Sequence, residues 1–160
     1  MTHRLVSEKD PDIEINNVTI SILNPADTVA LKDGLSRQFD KTNNDAIAMK
    51  ISMENVSVLL PADISEPSEM RIIDAHKGIT SDILFAPHHG GRTSSTVPFL
   101  NRVRPKIAVI SCGRDNVYHD PHPDVLMRYF RRGTRVLRTD INGSINITTD
   151  GSHVYYDVFA

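Results

Sequence analysis

The sequence predicts an α/β fold with mixed sheets, and three observations lead to this class. Short apolar runs of strand length end in proline or glycine and are followed by polar loops, as at residues 82–86 and 107–112. Segments with helical apolar spacing lie between these runs, an order typical of parallel strands. Alternating apolar and polar residues near both ends of the chain favour antiparallel pairs there. We expect one domain over residues 1–160.

The first third of the chain is predicted to contain two antiparallel strand pairs separated by a loop. The segments in order are a polar entry at 1–12, strands within 13–22 with a hairpin or bulge at Asn16-Asn17, a long loop at 26–45, and strands at 46–53 and 56–60 around a turn at Glu54-Asn55. A loop as long as the one at 26–45 is usually functional or disordered in a compact domain.

Helices and strands alternate through the rest of the chain until a β-rich terminus. Helices are predicted over about 66–77, around 97–103 and from about 123 to 132, and strands over 82–86, 107–112 and 136–140. Asn142-Gly143 is a strong hairpin signal. Together with strands at 145–149 and 154–158, it predicts a terminal β-meander.

Composition excludes several classes of protein. With 24% charged residues and a net charge of −2, the chain carries no global positive charge for nucleic acid or anionic membranes. The single cysteine, Cys112, follows an apolar strand, which favours a buried core residue over a nucleophile. It also excludes an internal disulfide and fits a reducing compartment such as the cytoplasm. The chain has neither a run of about 18 apolar residues nor the apolar segment of a signal peptide.

Basic residues are concentrated in one part of the sequence. Two interpretations stay open for them, a solvated helix face or a local surface that grips nucleic acid or a protein partner. The cluster consists of Arg128, Arg131, Arg132, Arg135 and Arg138, with Arg102, Arg104 and Lys106 upstream.

The most informative stretch is the loop after the strand at 82–86. Pro87 ends the strand, and His88, His89 and two glycines follow it. The imidazoles offer neutral nitrogens to a metal or a proton to a substrate, and the glycines let the backbone turn close to a ligand. Taken alone, the pair fits surface or hydrogen-bonded histidines equally well.

Asp63 lies directly beyond the apolar strand at 56–60. An aspartate in this place is either a metal ligand or base positioned by the strand, or the cap of the next helix. Residues 65–69 supply cap and first-turn residues of their own, so Asp63 is not needed as the cap. The functional interpretation is therefore favoured.

Three polar loops follow three of the predicted strands, at residues 61–65, 87–95 and 113–122. The last of them carries His119 and His122. Ligands in α/β sheets bind outside the carboxyl ends of strands. We therefore expect these loops to form one site.

Several ordered blocks together carry a family resemblance. They are Asn43-Asn44, residues 59–63 (Leu-Leu-Pro-Ala-Asp), residues 86–94 (Ala-Pro-His-His-Gly-Gly-Arg-Thr-Ser), residues 103–111, Tyr118 with Pro121-His122-Pro123, and residues 136–140. In this order they resemble the metallo-β-lactamase domain at the carboxyl end of competence-type DNA-internalisation proteins, over about residues 13–150. The resemblance implies half or more of an αββα sandwich.

The resemblance also implies a hydrolase site of the phosphodiesterase or nuclease type. It makes Asp63 a metal ligand and catalytic residue, His88 or His89 a ligand, and His122 a catalytic residue. Two divalent ions, zinc or manganese, would lower the pKa of a bound water and stabilise charge on a phosphodiester. The residues that it places near the substrate are Arg92, Thr93, Ser94, Asn44 and His119.

This chain departs from the family pattern. The His-x-His-x-Asp-His block of the family's amino-terminal half is absent, and Ala62 stands where relatives usually have glycine. Two explanations stay open. The chain is the carboxyl-terminal portion of a longer, membrane-associated parent whose other half supplies the remaining ligands, or it is a short relative that has lost the metal site and serves as a non-catalytic nucleic-acid- or protein-binding scaffold.

We favour the first explanation, which makes the chain inactive by itself and leaves open whether it alone holds a metal. The expected partners are DNA or another phosphodiester and the amino-terminal half of the domain. Exposed strand edges would also allow a homo-oligomer.

Overall fold

The strand-forming segments of the chain pair into one mixed sheet in a computed structural model that describes residues 6–25 and 43–159. Strand order in the sheet equals chain order. The seven strands are β1 (Ile13–Ile15), β2 (Val18–Asn24), β3 (Ala48–Met53), β4 (Val56–Leu60), β5 (Ile83–Phe85), β6 (Ile107–Ile110) and β7 (Arg135–Arg138). A separate two-stranded hairpin consists of β8 (Ser144–Thr149) and β9 (Val154–Phe159).

The sheet is antiparallel from β1 to β4 and parallel from β4 to β7. Tight turns join β1 to β2 and β3 to β4, with Asn16 and Glu54 in the left-handed region at φ 54° and 51°. Helices cross over between the parallel strands, because parallel neighbours cannot be joined by a tight turn. The predicted α/β class with mixed strand directions is confirmed, as are the turns at Asn16-Asn17 and Glu54-Asn55.

The crossover helices begin and end close to where the sequence predicts. They are α1 (Glu66–Ala75), α2 (Val97–Val103) and α3 (Pro123–Phe130), and a short α4 (Thr139–Asn142) follows β7. A single-turn 3-10 helix lies at Asn43–Asp45, and Pro87–Gly90 form a tight turn with non-helical backbone angles at His88 and His89. Thr96 caps α2 by accepting a hydrogen bond from the Phe99 amide at 3.4 Å. Within the described residues, no helix has the length and apolar character needed to cross a bilayer.

The main core lies between the helices and one face of the sheet. Leu59 and Leu84 are fully buried on this face, and Phe99 and Tyr129 are fully buried on the helices. Burying one such side chain contributes about 1.5–3 kcal/mol. This core fixes the helices over the parallel half of the sheet and so orients the loops at its carboxyl ends.

The opposite face of the sheet, here called the hairpin face, is apolar along its whole antiparallel half. Its members follow from the strand registers, because directly paired residues lie on the same face. They are Ile13, Ile15, Val18, Ile20, Ile22, Met49, Ile51, Met53, Val56, Val58, Leu60, Ile83, Phe85, Ile107, Val109, Arg135 and Leu137. The β8–β9 hairpin covers part of this face, where Ile145 and Ile147 meet Val58, Ile83 and Val109 around a shared cavity.

The predicted terminal β-meander is wrong in its connection. Asn142-Gly143 is not a hairpin turn, because residues 139–142 form α4 and β7 belongs to the main sheet. The Thr139 hydroxyl bonds both the amide and the carbonyl of Cys112 at 2.8 Å, and this anchors the chain at the end of β6. Of the long loop predicted at 26–45, residues 26–42 lie outside the described residues.

Candidate functional site

Three loops meet beyond the carboxyl ends of β4, β5 and β6, as predicted from their positions after apolar strands. Main-chain hydrogen bonds join them to one another. These bonds run from His88 N to Ala62 O at 3.1 Å, from His122 N to Gly90 O at 3.0 Å, and from Glu66 N to Thr93 O at 2.9 Å. The loops at 61–65, 87–95 and 113–122 are therefore held as one unit.

The backbone of the histidine loop is left-handed at three consecutive residues. His88 and His89 have φ of 51° and 55°, and Gly90 has φ of 80°. A residue with a Cβ pays about 1–2 kcal/mol in this conformation. A Cβ on Gly90 would also stand 2.7 Å from the Cβ of Pro121, so only glycine fits there. Strained backbone of this kind persists where the surroundings determine it, and it clusters at functional sites.

His89 and Asp63 bring two ligand-type groups from different loops close together. His89 Nε2 lies 3.6 Å from Asp63 Oδ1, and both side chains are about half exposed. The other ring nitrogen, Nδ1, lies 2.8 Å from the carbonyl oxygen of Ser111. A carbonyl can only accept, so Nδ1 carries the proton, and in the neutral imidazole Nε2 presents a lone pair towards Asp63.

The separation of the two donors suits a shared divalent cation. Aspartate oxygen and imidazole nitrogen bind zinc at about 2.0–2.2 Å, so two ligands of one tetrahedral ion stand about 3.4 Å apart. The hydrogen bond at Nδ1 is the usual outer-shell arrangement of a metal-binding histidine. Within residues 6–25 and 43–159, no group of three or more His, Cys, Asp or Glu side chains converges on one point. The described residues therefore fit two ligands of a metal site and do not complete one.

His88, the neighbouring histidine, points elsewhere. Its Nε2 lies 3.5 Å from the side-chain nitrogen of Asn43, and its Nδ1 is buried without a hydrogen-bond partner among the described residues. Asp120 and this ring border the same space beside Gly91, since a Cβ on Gly91 would stand 3.6 Å from both Asp120 Oδ2 and His88 Cγ. The structure brings His89 rather than His88 to Asp63, and the ligand role of either histidine stays a prediction.

His122 occupies the N-cap position of α3. Its Nδ1 accepts a hydrogen bond from the Asp124 amide at 3.2 Å. Because an amide can only donate, Nδ1 is unprotonated and the proton of the neutral ring lies on Nε2. The ring thus presents an N–H group, the form that can donate to a phosphate oxygen or a leaving group.

The five residues predicted to contact substrate lie in different surroundings. Arg92, Thr93 and His119 are exposed at the rim of the site. Ser94 is buried, and its hydroxyl donates to the carbonyls of Pro87 and Gly91 at 2.7 and 2.9 Å, so it braces the histidine loop. The Asn44 side-chain oxygen accepts from the amide and hydroxyl of Ser65. Their roles towards substrate stay predictions.

Sequence reasoning missed a buried carboxylate beneath the site. Glu69 is fully buried on α1 and accepts hydrogen bonds from the amides of Ser95 and Thr96 at 2.5 and 2.9 Å. Burial raises its pKa above the ordinary value, although these bonds and nearby Arg128 act in the opposite direction. The sequence contained one signal for the burial of Glu69, its helical spacing, because position 69 shares a helix face with the apolar residues at 72 and 73.

The tyrosine beside this carboxylate is buried as well. Tyr129 shares a hydrogen bond of 2.8 Å with the Ser95 hydroxyl, and burial raises its pKa above its usual range. Glu69 and Tyr129 together hold residues 95 and 96 from below. The loop that carries Arg92, Thr93 and Ser94 is thereby anchored to both α1 and α3.

Most of the arginine cluster makes contacts within the chain. Arg128 donates to the carbonyls of Ser94 and Ser95, and Arg132 donates to the side chain of Asn101 at 2.8 Å. The Arg135 guanidinium lies 5.0 Å from the ring centre of Tyr156. These contacts use guanidinium groups that a nucleic-acid surface would need free, so the geometry does not favour that role.

Cys112 sits beside an ion pair formed by Arg138 and Asp140. Its thiol donates to Asp140 Oδ1 at 3.1 Å, and partial burial raises the pKa of the thiol. The hydrogen bond from Arg138 lowers the pKa of Asp140. A raised pKa keeps the thiol neutral and poorly nucleophilic.

The fold and the site together define a mixed α/β domain with an Asp–His pair at the carboxyl ends of its central strands. No protein-family model matches the chain. Homologues of part of the chain are nevertheless found among bacterial competence proteins. ComE operon protein 3 of Bacillus subtilis (strain 168) is 36% identical over 103 residues, which is 64% of this chain and 13% of that protein.

Two further relatives match to a similar extent. Competence protein ComA of Neisseria gonorrhoeae is 32% identical over 104 residues, covering 64% of this chain and 15% of that protein. Uncharacterized protein YcaI of Escherichia coli (strain K12) is 32% identical over 115 residues, covering 70% of this chain and 15% of that protein. The matched part of this chain thus spans only 13% to 15% of these relatives.

Proposed function

We propose that this chain is the carboxyl-terminal portion of a metal-dependent hydrolase domain of the metallo-β-lactamase type. Its substrate class is a phosphodiester such as DNA, and its biological setting is DNA uptake. The similarity to competence proteins supports the setting. The positions of Asp63, His89 and His122 at one end of the sheet support the chemistry.

One observation carries the proposal. His89 Nε2 presents a lone pair 3.6 Å from a carboxylate oxygen of Asp63, and the hydrogen bond from Nδ1 to Ser111 fixes that orientation. Two electron-pair donors at this distance repel each other, and a cation between them turns that repulsion into attraction. A divalent cation satisfies both donors and also provides hydrolytic chemistry, whereas a proton would satisfy the pair only while the imidazole is charged.

Asp63 and His89 would hold one divalent ion, zinc or manganese, together with ligands from outside the described residues. When bound, such an ion lowers the pKa of a coordinated water and stabilises negative charge on a phosphodiester. His122 would donate its Nε2 proton to the leaving oxygen. Arg92 and Thr93, exposed on the rim, would hold the phosphate, since arginine can bind two of its oxygens at once.

The experiment is a calorimetric titration of the 160-residue chain with Zn²⁺ and, separately, with Mn²⁺. It compares the unmodified chain with Asp63→Ala, His89→Ala and His153→Ala. His153 is a matched control, because its Nδ1 lies 3.4 Å from Asp150 and both side chains are exposed on the hairpin, away from the site.

We expect one metal site that weakens about tenfold or more in Asp63→Ala and in His89→Ala and is unchanged in His153→Ala. Equal affinity in all four proteins would place the metal elsewhere and refute the proposal. Absence of binding to the unmodified chain would also count against it and would favour the scaffold interpretation.

A further inference from the structure

Helices α2 and α3 display large apolar side chains on the side that faces away from the sheet. Phe130 is 76% exposed, and Met127 and Val97 are 47% and 48% exposed. Met127 and Phe130 lie three positions apart on α3, so they share one side of that helix. Buried Val125 and Tyr129 hold the other side of α3 against the core. The exposed apolar residues therefore point out of the helix layer into solvent.

Arg132 joins the two helices, so their exposed residues form one surface. Its guanidinium donates to the Arg128 carbonyl on α3 at 2.8 Å. It also donates to the Val97 carbonyl and the Asn101 side chain on α2, at 3.2 and 2.8 Å. α2 is thereby held beside the last turn of α3. This surface, here called the outer face, consists of Val97, Arg102, Arg104, Met127, Phe130 and Arg131.

The outer face is also locally positive. Residues 97–106 and 123–135 contain seven basic residues and one acidic residue, although the whole chain has a net charge of −2. The acidic residue, Asp124, lies in the first turn of α3, at the opposite end of the helix from Phe130. The arginines of the outer face that are exposed are Arg102, Arg104 and Arg131. Apolar side chains are thus flanked by cations that no nearby carboxylate of these segments balances.

We propose that the outer face docks on the surface of an anionic lipid bilayer. Its three apolar side chains enter the boundary between headgroups and acyl chains, and its three arginines contact the lipid phosphates. Apolar side chains provide burial, and basic side chains provide attraction to the negative leaflet. Neither contribution alone holds a protein firmly at a membrane, and the outer face supplies both.

A bilayer suits this surface better than a nucleic acid does. Arg128 and Arg132 already donate to carbonyls of their own chain, which leaves fewer N–H groups for the directed hydrogen bonds that position a phosphate backbone. Attraction to an anionic leaflet is diffuse and requires only the charge. A bilayer also removes the aliphatic side chains of Met127 and Val97 from water, whereas a phosphate backbone does not.

Docking through the outer face leaves the other functional surfaces of the chain accessible. The outer face and the hairpin face lie on opposite sides of the sheet, because the helices pack on one side and the β8–β9 hairpin on the other. The rest of an αββα sandwich would pack on the side away from the bilayer. The site loops lie beyond the carboxyl ends of the strands, so the bilayer does not cover them.

Co-sedimentation with phosphatidylcholine vesicles, prepared with and without phosphatidylglycerol, tests the docking. We expect binding that requires phosphatidylglycerol and weakens at high salt, because dissolved ions screen the attraction. Arg131→Glu should weaken binding about thirtyfold, since each elementary charge near the leaflet contributes about fivefold and the change reverses one. Arg135→Glu is the matched control, because it changes the net charge equally but lies on the hairpin face against Tyr156. It should bind normally.

Tryptophan fluorescence tests which side chain enters the lipid. The chain contains no tryptophan, so Phe130→Trp introduces a single indole into the outer face. Its emission should shift to shorter wavelength when phosphatidylglycerol vesicles are added, because the indole leaves water. Phe159→Trp is the matched control, since Phe159 is 63% exposed on β9 in the hairpin, and its emission should stay unchanged.

Several results would overturn the proposal. They are the absence of binding to phosphatidylglycerol vesicles, equal affinity of Arg131→Glu and Arg135→Glu, and an emission shift in Phe159→Trp that Phe130→Trp lacks. Circular dichroism melts establish that all four variants are folded.

Fluorescence anisotropy with a labelled DNA oligonucleotide covers the competing partner. DNA binding that Arg131→Glu weakens, without binding to vesicles, would make the outer face a nucleic-acid surface and overturn the proposal. Vesicle binding with the expected pattern supports it. None of these outcomes depends on metal binding at Asp63 and His89.

Discussion

Replacing Glu69 tests whether the buried carboxylate under the site holds residues 95 and 96 in place. The Glu69→Gln change keeps the size of the side chain but replaces one acceptor oxygen with an NH₂ group. Only one of the two amides, Ser95 N–H or Thr96 N–H, then retains its acceptor. The Glu69→Ala change removes both acceptors.

The expected loss in the free energy of unfolding follows from these two hydrogen bonds. A buried amide without an acceptor costs about 1–3 kcal/mol. Glu69→Gln should therefore reduce the free energy of unfolding by about 1–2 kcal/mol, since relief of the buried charge offsets part of the loss. Glu69→Ala should reduce it by about 2–5 kcal/mol, because it orphans two amides. A 160-residue chain loses about 2–4 °C of Tm per kcal/mol.

Urea unfolding monitored by circular dichroism measures these values, and amide hydrogen exchange locates the effect. Protection should fall first at Ser95 and Thr96. The matched control is Glu66→Gln, which changes an exposed glutamate at the start of the same helix and should alter stability by less than about 0.5 kcal/mol. If Glu69→Gln and Glu66→Gln prove equally stable, the carboxylate does not support the loop and the reasoning is wrong.

Three further predictions concern the same region. Ala62→Gly should stabilise the chain by about 0.5–1 kcal/mol in urea unfolding, because Ala62 has φ 53° and glycine tolerates that conformation. Ala75→Gly, at the last residue of α1, is the control and should give no such stabilisation, because Ala75 already has helical backbone angles. The difference in unfolding free energy between the unmodified chain and Glu69→Gln should depend on pH. The unmodified chain should have its greatest advantage below about pH 4.3 and should lose it as pH rises through the raised pKa of Glu69, because the folded state holds that proton more tightly than the unfolded state does. A difference that is independent of pH would contradict this. In ¹⁵N-correlated NMR spectra of the neutral imidazoles, His89 should show the Nδ1–H tautomer and His122 the Nε2–H tautomer, and the reverse pattern would remove the basis for their assigned roles.

The sequence by itself determined the elements and the loops that form the site. Apolar runs ended by proline or glycine marked β4, β5 and β6, and the turns at Asn16-Asn17 and Glu54-Asn55 lay where two-residue hairpins need them. These signals are local, because strand periodicity and turn chemistry depend on neighbouring residues. Asp63 and the histidine pair could be identified as candidate site residues from the same local signals, since they follow predicted strands.

Only the tertiary structure decided which side chains meet. The carbonyl of Ser111, on the next loop, orients His89 towards Asp63, and no spacing within residues 87–95 reveals that contact. Glu69 turns inward because the amides of another loop donate to it, and Arg128 and Arg135 contact carbonyls and a tyrosine that lie far from them in the chain.

Contacts between distant segments also decided how the chain continues after β7. Asn142-Gly143 carries the local chemistry of a hairpin, but the hydrogen bonds between Thr139 and Cys112 direct residues 139–142 into a helix and move β8 and β9 into a second layer. Local sequence sets what each segment can form. Contacts between segments distant in the chain select among those possibilities, because their energies depend on which surfaces the fold brings together.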